Sequence, residues 1–296
     1  MSTATTTALP PLQPPGVARK FVHHPQGRIG LALLSLLILT AIGVPAALPY
    51  GPNQITPQDA LQAPSARHWF GTDELGRDQL SRVAAAAPIA FYVAGTSVAI
   101  ALVIGTIAGL VAGFAGGVVD TVLSWMVSIL FSMPALLLAL VIVGVFGPGL
   151  NNALIAVAIV YVPRFARIAR ASTLSVRHRL FIEAARLAGR RAHQILLEHV
   201  LPNILPAVIV QTALSLSTAE LAHASLSFLG LGIQPPYADW GNMLARSRGF
   251  MTVAPWLVIF PALALVLLII AFNTLGDALR DVLDPRRQAG TIRSGL

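Results

Sequence analysis

The chain alternates between long apolar runs and short stretches that hold nearly all of its charge. A helix crossing a bilayer needs about 20 apolar residues at a rise of about 1.5 Å each, and the runs are that long. The pattern predicts six spans, at about 29–48, 88–113, 119–146, 152–170, 204–230 and 254–275. The first ends at Pro49-Tyr50-Gly51-Pro52, and Pro134 lies within the third. The expected organisation is a disordered tail over 1–28, a first span over 29–48 and an outer segment over 49–87. A five-helix core over 88–275 follows, interrupted by a polar loop at 171–203, and the tail is 276–296. Residues 1–18 are rich in Thr, Pro and Ala and carry no cleavage signal, so the first span is read as uncleaved. The fold class is all-α, a polytopic membrane protein.

Composition agrees. Of 296 residues, 55% are hydrophobic and 11% charged, with a mean hydropathy of +0.74; soluble domains carry about 25% charge. The net charge of +8 is a topological signal and not a nucleic-acid footprint. About 15 of the 20 Lys and Arg residues fall on one side of the predicted spans. Arg19, Lys20 and Arg28 precede the first span, and Arg280, Arg286, Arg287 and Arg293 follow the last. The 165–203 loop adds Arg167, Arg170, Arg177, Arg179, Arg186, Arg190 and Arg191. By the positive-inside rule both termini and this loop are cytoplasmic, and segments 50–87 and 231–252 face outward. The location implied is a cell membrane.

Several chemistries are excluded. Cysteine is absent, so there is no disulfide framework and no thiolate ligation. The one lysine, Lys20, lies in no glycine-rich loop, so a P-loop for ATP is missing; if ATP drives this protein, another subunit supplies the site. There is no His-Glu-x-x-His or Gly-x-Ser-x-Gly, and no catalytic or metal site is expected. Ser225 and His223 are two apart on a helix and do not face each other.

Gly105, Gly109 and Gly113 recur at four-residue spacing in the second span. They predict a smooth groove for close helix packing or a subunit contact. Glu220 is the carboxylate well inside a predicted span, and His223 shares its face one turn on. A charge at that depth costs about 2.5–3.5 kcal/mol on insertion scales, so the pair should face protein or water. It is placed either on a translocation path or at an interface, or else in an internal hydrogen bond. Asp73, Arg77 and Asp78 read as a self-paired turn or as contacts to an external protein. Asp239, Trp240 and Asn242 read as a gate, a docking surface or a helix cap. Asp277, Arg280, Asp281 and Asp284 read as a solvated face or a partner contact.

The segment 180–202, LFIEAARLAGRRAHQILLEHVLP, predicts a short helix, a turn at Gly189 and a second amphipathic helix near the membrane surface. The spacing Glu183-Ala184-Ala185, Gly189, His199, Leu201-Pro202 matches the "EAA" loop of permease subunits of ABC importers. Three further segments resemble the DppC/OppC (peptide and nickel) branch of that family. They are His68-Trp69-Phe70-Gly71-Thr72-Asp73 with Gly76-Arg77-Asp78 and Ser81-Arg82, Leu226 to Gly232 with Pro235-Pro236 and Trp240-Gly241-Asn242-Met243-Leu244, and Asn273 to Arg286.

The resemblance implies an ABC importer type I permease fold. It also implies a heterodimer with a second homologous permease, two cytoplasmic ATPase subunits holding ATP and Mg, and an extracytoplasmic substrate-binding protein. No cofactor would be bound by this chain itself. It assigns Glu183, Ala184, Ala185, Gly189, Arg190, Arg191, Leu201 and Pro202 to coupling with the ATPase, and short peptides as the default substrate. Two positions depart from the pattern: His223 stands where an acid is common, and Arg190 and Arg191 follow Gly189 where small residues are usual. The alternatives are a standalone secondary transporter or channel, which predicts internal repeats and several midplane charges, and an intramembrane enzyme, whose motif is missing.

Overall fold

The computed structural model describes residues 17–283, and regular structure among them is helical apart from one bridge between Thr72 and Asp78. The helices are α1 (Val17–His23), α2 (Pro25–Ala47), α3 (Gln79–Ala115), α4 (Gly117–Ser132), α5 (Ala135–Phe146) and α6 (Leu150–Val176). They continue as α7 (Leu180–Leu187), α8 (Ala192–Ile195), α9 (Leu201–Phe228), α10 (Trp240–Ser247) and α11 (Trp256–Leu283). Residues Leu196–Val200 form a π-helical turn that joins α8 to α9.

Five stretches are long and apolar enough to cross a membrane: α2, α3, α6, the run Ala192–Phe228 ending in α9, and α11. The predicted third span is not one straight helix. It divides into α4 and α5, bent by 91° at Met133-Pro134. Proline has no N–H to donate to the carbonyl of Leu130 and its ring crowds the preceding turn, so the ladder stops there. The pair still traverses the bundle once. Asp120 in α4 is bonded to Arg170 near the end of α6, while the Phe146 carbonyl closing α5 accepts from Asn152 near the start of α6. Counted as one, the pair gives six crossings.

Other boundaries also moved. Helix α3 starts at Gln79 rather than about 88, because Asp78 caps it by accepting from the Ser81 N–H at 2.8 Å. Residues 17–28, expected in a disordered tail, belong to α1 and the first turn of α2, and α11 runs to Leu283 instead of ending near 275. Residues 1–16 of the expected N-terminal tail, and Asp284, Arg286, Arg287 and Arg293, lie outside the described residues.

The glycine groove is occupied by α6. A Cβ at Gly105 would lie 2.5 Å from the Val162 carbonyl, one at Gly109 2.3 Å from that of Ala166, and one at Gly113 2.8 Å from the Thr173 side chain. The contacts advance together along both helices, so α3 and α6 run parallel at backbone contact. One buried cluster joins α3, α5, α6 and α9 around Phe165, Val157 and Leu226. A second joins α2, α3, α10 and α11 around Leu37, Trp240, Leu268 and Phe272. Elsewhere the spans present large apolar side chains outward, among them Leu39, Ile42, Ile107 and Ile259, as lipid-facing helices do. Helix α4 buries none of its residues within the subunit.

Candidate functional site

The 180–202 segment folds as predicted through the turn at Gly189, but the expected second short helix is not separate: residues 192–200 run without a break into α9. Arg179 precedes α7, whose Ile182 and Ala185 share a face and are buried, Ile182 completely. The chain then turns at Gly189, where φ is +75°. The Gly189 N–H bonds to the Arg186 carbonyl at 3.0 Å and the Arg190 N–H to that of Ala185 at 3.2 Å. These are the two bonds of a Schellman end, which needs a left-handed residue at this position. No atom lies within 4 Å of a Cβ added at Gly189, so backbone conformation, not space, selects glycine there. Helix α8 follows, with the Arg191 N–H donating to Gln194 Oε1 at 3.0 Å, and buries Ile195.

Ile182, Ile195 and Val200 belong to the same cluster as Phe165 and Leu226, so the segment is welded to the spanning core. Burying each large side chain contributes about 1.5–3 kcal/mol. The opposite face is bare. Glu183, Ala184, Leu187, Gly189, Arg190, Arg191 and Pro202 are exposed, and Leu187 and Leu180 are 90% and 82% exposed; Leu201 is half-buried. Arg190 reaches back across the turn to Glu198 at 2.9 Å, an exposed pair worth about 0–1 kcal/mol. Its guanidinium therefore has a partner within the segment itself. Arg186 lies over the Phe114 ring at 5.3 Å, which links α7 to the end of α3.

The outer segment is a network of ion pairs turned inward. Asp73 accepts from Arg77 Nε at 2.6 Å and from the backbone N–H of Leu75 and Arg77 at 2.9 Å each, and Arg82 Nε lies 3.6 Å from the same carboxylate. Asp78 caps α3 with one oxygen and meets His68 Nδ1 at 2.9 Å with the other. Thr72 Oγ1 donates to the Asp59 carbonyl. Asp73, Arg77, Asp78, Arg82 and His68 are all buried. The sequence offered Asp73, Arg77 and Asp78 either as a self-paired turn or as contacts to an external protein, and the self-paired turn is what forms. The structure turns all three inward, where they hold the turn between α2 and α3, and the surface of this segment is instead carried by Trp69, at 63% exposure. His68 and Arg82 complete the network and escaped the reading as site residues. Their acidic partners sit nine and ten residues away in sequence, where no spacing rule reaches.

Glu220 and His223 are similarly internal. Their relative exposures are 1% and 0%, so neither forms a surface of the subunit on a path or at an interface. Asp239, at 3%, completes a row: Glu220 Oε2 to His223 Nδ1 is 3.7 Å, and His223 Nε2 to Asp239 Oδ2 is 3.5 Å. Ser227 Oγ lies 3.4 Å from the same Nε2. Asp239 also caps α10 by accepting from the Asn242 N–H at 3.0 Å. Trp240 is buried, and its indole N–H donates to the Val83 carbonyl at 3.0 Å. Asp239 and Trp240 therefore fasten α10 to α9 and α3; they do not project outward as a gate or docking surface. Where the family pattern has an acid, His223 stands between two. At the other end, Asp277 and Arg280 are exposed, while Asp281 meets His24 at 3.4 Å.

Residues 105–289 match the family described as binding-protein-dependent transport system inner membrane component, and residues 16–64 match the N-terminal TM domain of oligopeptide transport permease C. The chain is 43% identical over 261 residues to the dipeptide transport system permease protein DppC of Alkalihalophilus pseudofirmus, covering 88% of this chain and 86% of that one. It is 40% identical to the di/tripeptide transport system permease protein DppC of Pseudomonas aeruginosa, over 90% of both chains. It is 42% identical to the glutathione transport system permease protein GsiD of Escherichia coli, over 90% of this chain and 89% of that one. In three dimensions it resembles an inward-facing structure of the MetNI methionine ABC transporter, with a TM-score of 0.58 at 19% identity over 69% of this chain and 96% of that chain. That likeness is one of fold, the type I permease arrangement. None of these matches favours a standalone secondary transporter or channel. A helical multi-pass architecture, an EAA-type segment on the spanning core and relatives that match end to end converge on one assignment: the chain belongs to the binding-protein-dependent transport system inner membrane component family, as an ABC importer permease subunit of the DppC/OppC type.

Proposed function

We propose that this subunit carries di- and oligopeptides inward, forming the translocation path with a second, homologous permease. Two cytoplasmic ATPases hold ATP and Mg, and an extracytoplasmic binding protein delivers the peptide. Both termini and the 180–202 segment face the cytoplasm. The observation that carries the reading is the two-sidedness of α7. Ile182 and Ala185 are buried in the spanning core, while Glu183, Ala184, Leu187 and Gly189 stand free. A segment gripped on its free face transmits displacement to α6 and α9 through Ile182, Ile195 and Val200. ATP binding would close the ATPase pair and shift this segment; the spans would rearrange to accept substrate, and hydrolysis would reset them. This subunit makes and breaks no bond. Peptide as cargo rests on the relatives named for dipeptides, di/tripeptides and glutathione.

The test is co-purification from membranes with ATPase and uptake assays, wild type beside the Glu183→Lys/Gly189→Leu double variant. The expected result is that ATPases and a second permease accompany the wild type. The variant should insert normally but lose ATPase binding, or hydrolyse ATP without peptide uptake. Wild-type uptake by the stably inserted variant, or transport by this chain purified alone, would sink the proposal.

A further inference from the structure

Helix α6 carries Arg164, Arg167 and Arg170, and only Arg170 is neutralised. Asp120 grips it through two bonds of 2.5 and 2.7 Å. Arg164 and Arg167 make no ion pair among the described residues. Each rests on an aromatic ring instead, Arg164 4.6 Å from the Tyr161 centroid and Arg167 3.9 Å from that of Phe131. Arg164 also donates to Thr218 Oγ1 of α9 at 3.4 Å. Three residues apart, the two guanidinium groups share one helix face.

A row of arginines closing a span is ordinarily a topology signal, with side chains snorkelling to the cytoplasm. The surroundings distinguish these two. Phe131, under Arg167, lies directly before the 91° break, where Ser132, Met133 and Pro134 are exposed and the helix ladder is interrupted. Non-helical backbone within a membrane exists only where protein covers it or water reaches it. A cavity of about 140 Å³ adjoins Arg167 and Arg170, with Gly109, Ala112, Ser124 and Ser128 in its walls. Arg167, two serine hydroxyls and, beside Phe131, the open backbone thus gather between α4 and α6, and Arg164, one turn earlier, reaches Thr218 of α9.

We infer that Arg164 and Arg167 line the translocation path and form a carboxylate-binding station that the C-terminal carboxylate of a peptide substrate occupies in transit. This rests on the importer reading above. A guanidinium presents a planar fork matched to a carboxylate, and its aromatic backing holds the plane in place and keeps water from one face. Two such groups, held by separate rings and not by acids, can pass an anion along, because the nearby Asp120 is already engaged by Arg170.

Because the chain lacks cysteine, a single Thr218→Cys substitution in the assembled importer in nanodiscs gives a clean reporter. Its reaction with a charged, water-soluble thiol reagent is followed by the mass of this chain. Ser128→Cys serves as a second reporter beside Arg167. The expected result is that the thiol reacts and a millimolar dipeptide with a free carboxylate slows the reaction several-fold. The same dipeptide amidated at its C-terminus should slow it little, and adding Arg164→Gln/Arg167→Gln should abolish the difference. Equal protection by both peptides, or none, overturns the inference. So does an unreactive thiol at both positions, which would place this face against lipid. ATPase subunits and activity are measured on the same preparation; their absence would defeat the importer reading itself, separately from the labelling outcome.

Discussion

Asp73 holds together more of the outer segment than any neighbouring acid. One carboxylate satisfies the buried Arg77, two backbone N–H groups and part of the buried Arg82. Removing it leaves the buried Arg77 only the longer contact to Glu74 at 3.5 Å, a loss of up to about 3–5 kcal/mol. Asp73→Ala should therefore lower the thermal unfolding midpoint of the purified protein clearly, whereas Trp69→Ala at the exposed surface should leave it nearly unchanged; similar midpoints would contradict the network. Gly189→Val places a β-branched residue at positive φ, at a cost of about 1–2 kcal/mol. The expected outcome is a frayed α7 end, seen as faster amide exchange over 185–191, with the spans unaffected. Some of this was legible in the sequence. The Asp73–Arg77 pair follows from spacing, and Gly189 from its place at a helix end. The row Glu220–His223–Asp239 was half legible, because Asp239 reaches His223 only when the turn after α9 folds α10 back, and no periodicity encodes that return.

Among the helices, α4 and α5 behave least as hydropathy predicts. A window average sees only apolar residues and cannot distinguish one straight helix from two at 91°. Straightened, residues 117–146 would extend about 45 Å, longer than the hydrocarbon core. Pro134→Ala restores the missing N–H and removes a residue about 3 kcal/mol unfavourable within a helix. The expected result is a longer distance between spin labels at Met126 and Val141 in the assembled complex; an unchanged distance would show that packing, not proline, sets the bend. The parallel α3–α6 contact was more readable, since three glycines at four-residue spacing announce a close approach. Only their partner was missing. Gly109→Leu drives a side chain into the Ala166 carbonyl, 2.3 Å from the added Cβ, and should abolish stable expression. Helix ends were misplaced where caps override hydropathy, as Asp78 does for α3.

For the whole molecule, the count of crossings decides which termini share a side. The start of α2 meets the end of α11: Gly30 lies against Thr274 and Leu275, and His24 against Asp281. Both ends of the described chain therefore lie at one end of the bundle, which requires an even number of crossings and makes the bent α4–α5 pair a single one. Thiols introduced by Arg19→Cys and Arg280→Cys should react with an impermeant reagent from the cytoplasmic side, and one from Tyr237→Cys from the outside; any other pattern would refute the topology. The junction of α2 with α11 also bears on how the protein is made. The first span leaves the ribosome before the others, yet the helix that covers it at Gly30 is synthesised last. Until α11 inserts, that face lacks its cover and α2 is held through its packing on α3. A ribosome stalled before α11 should leave a chain whose first helix packs on α3 but lacks its cover at Gly30.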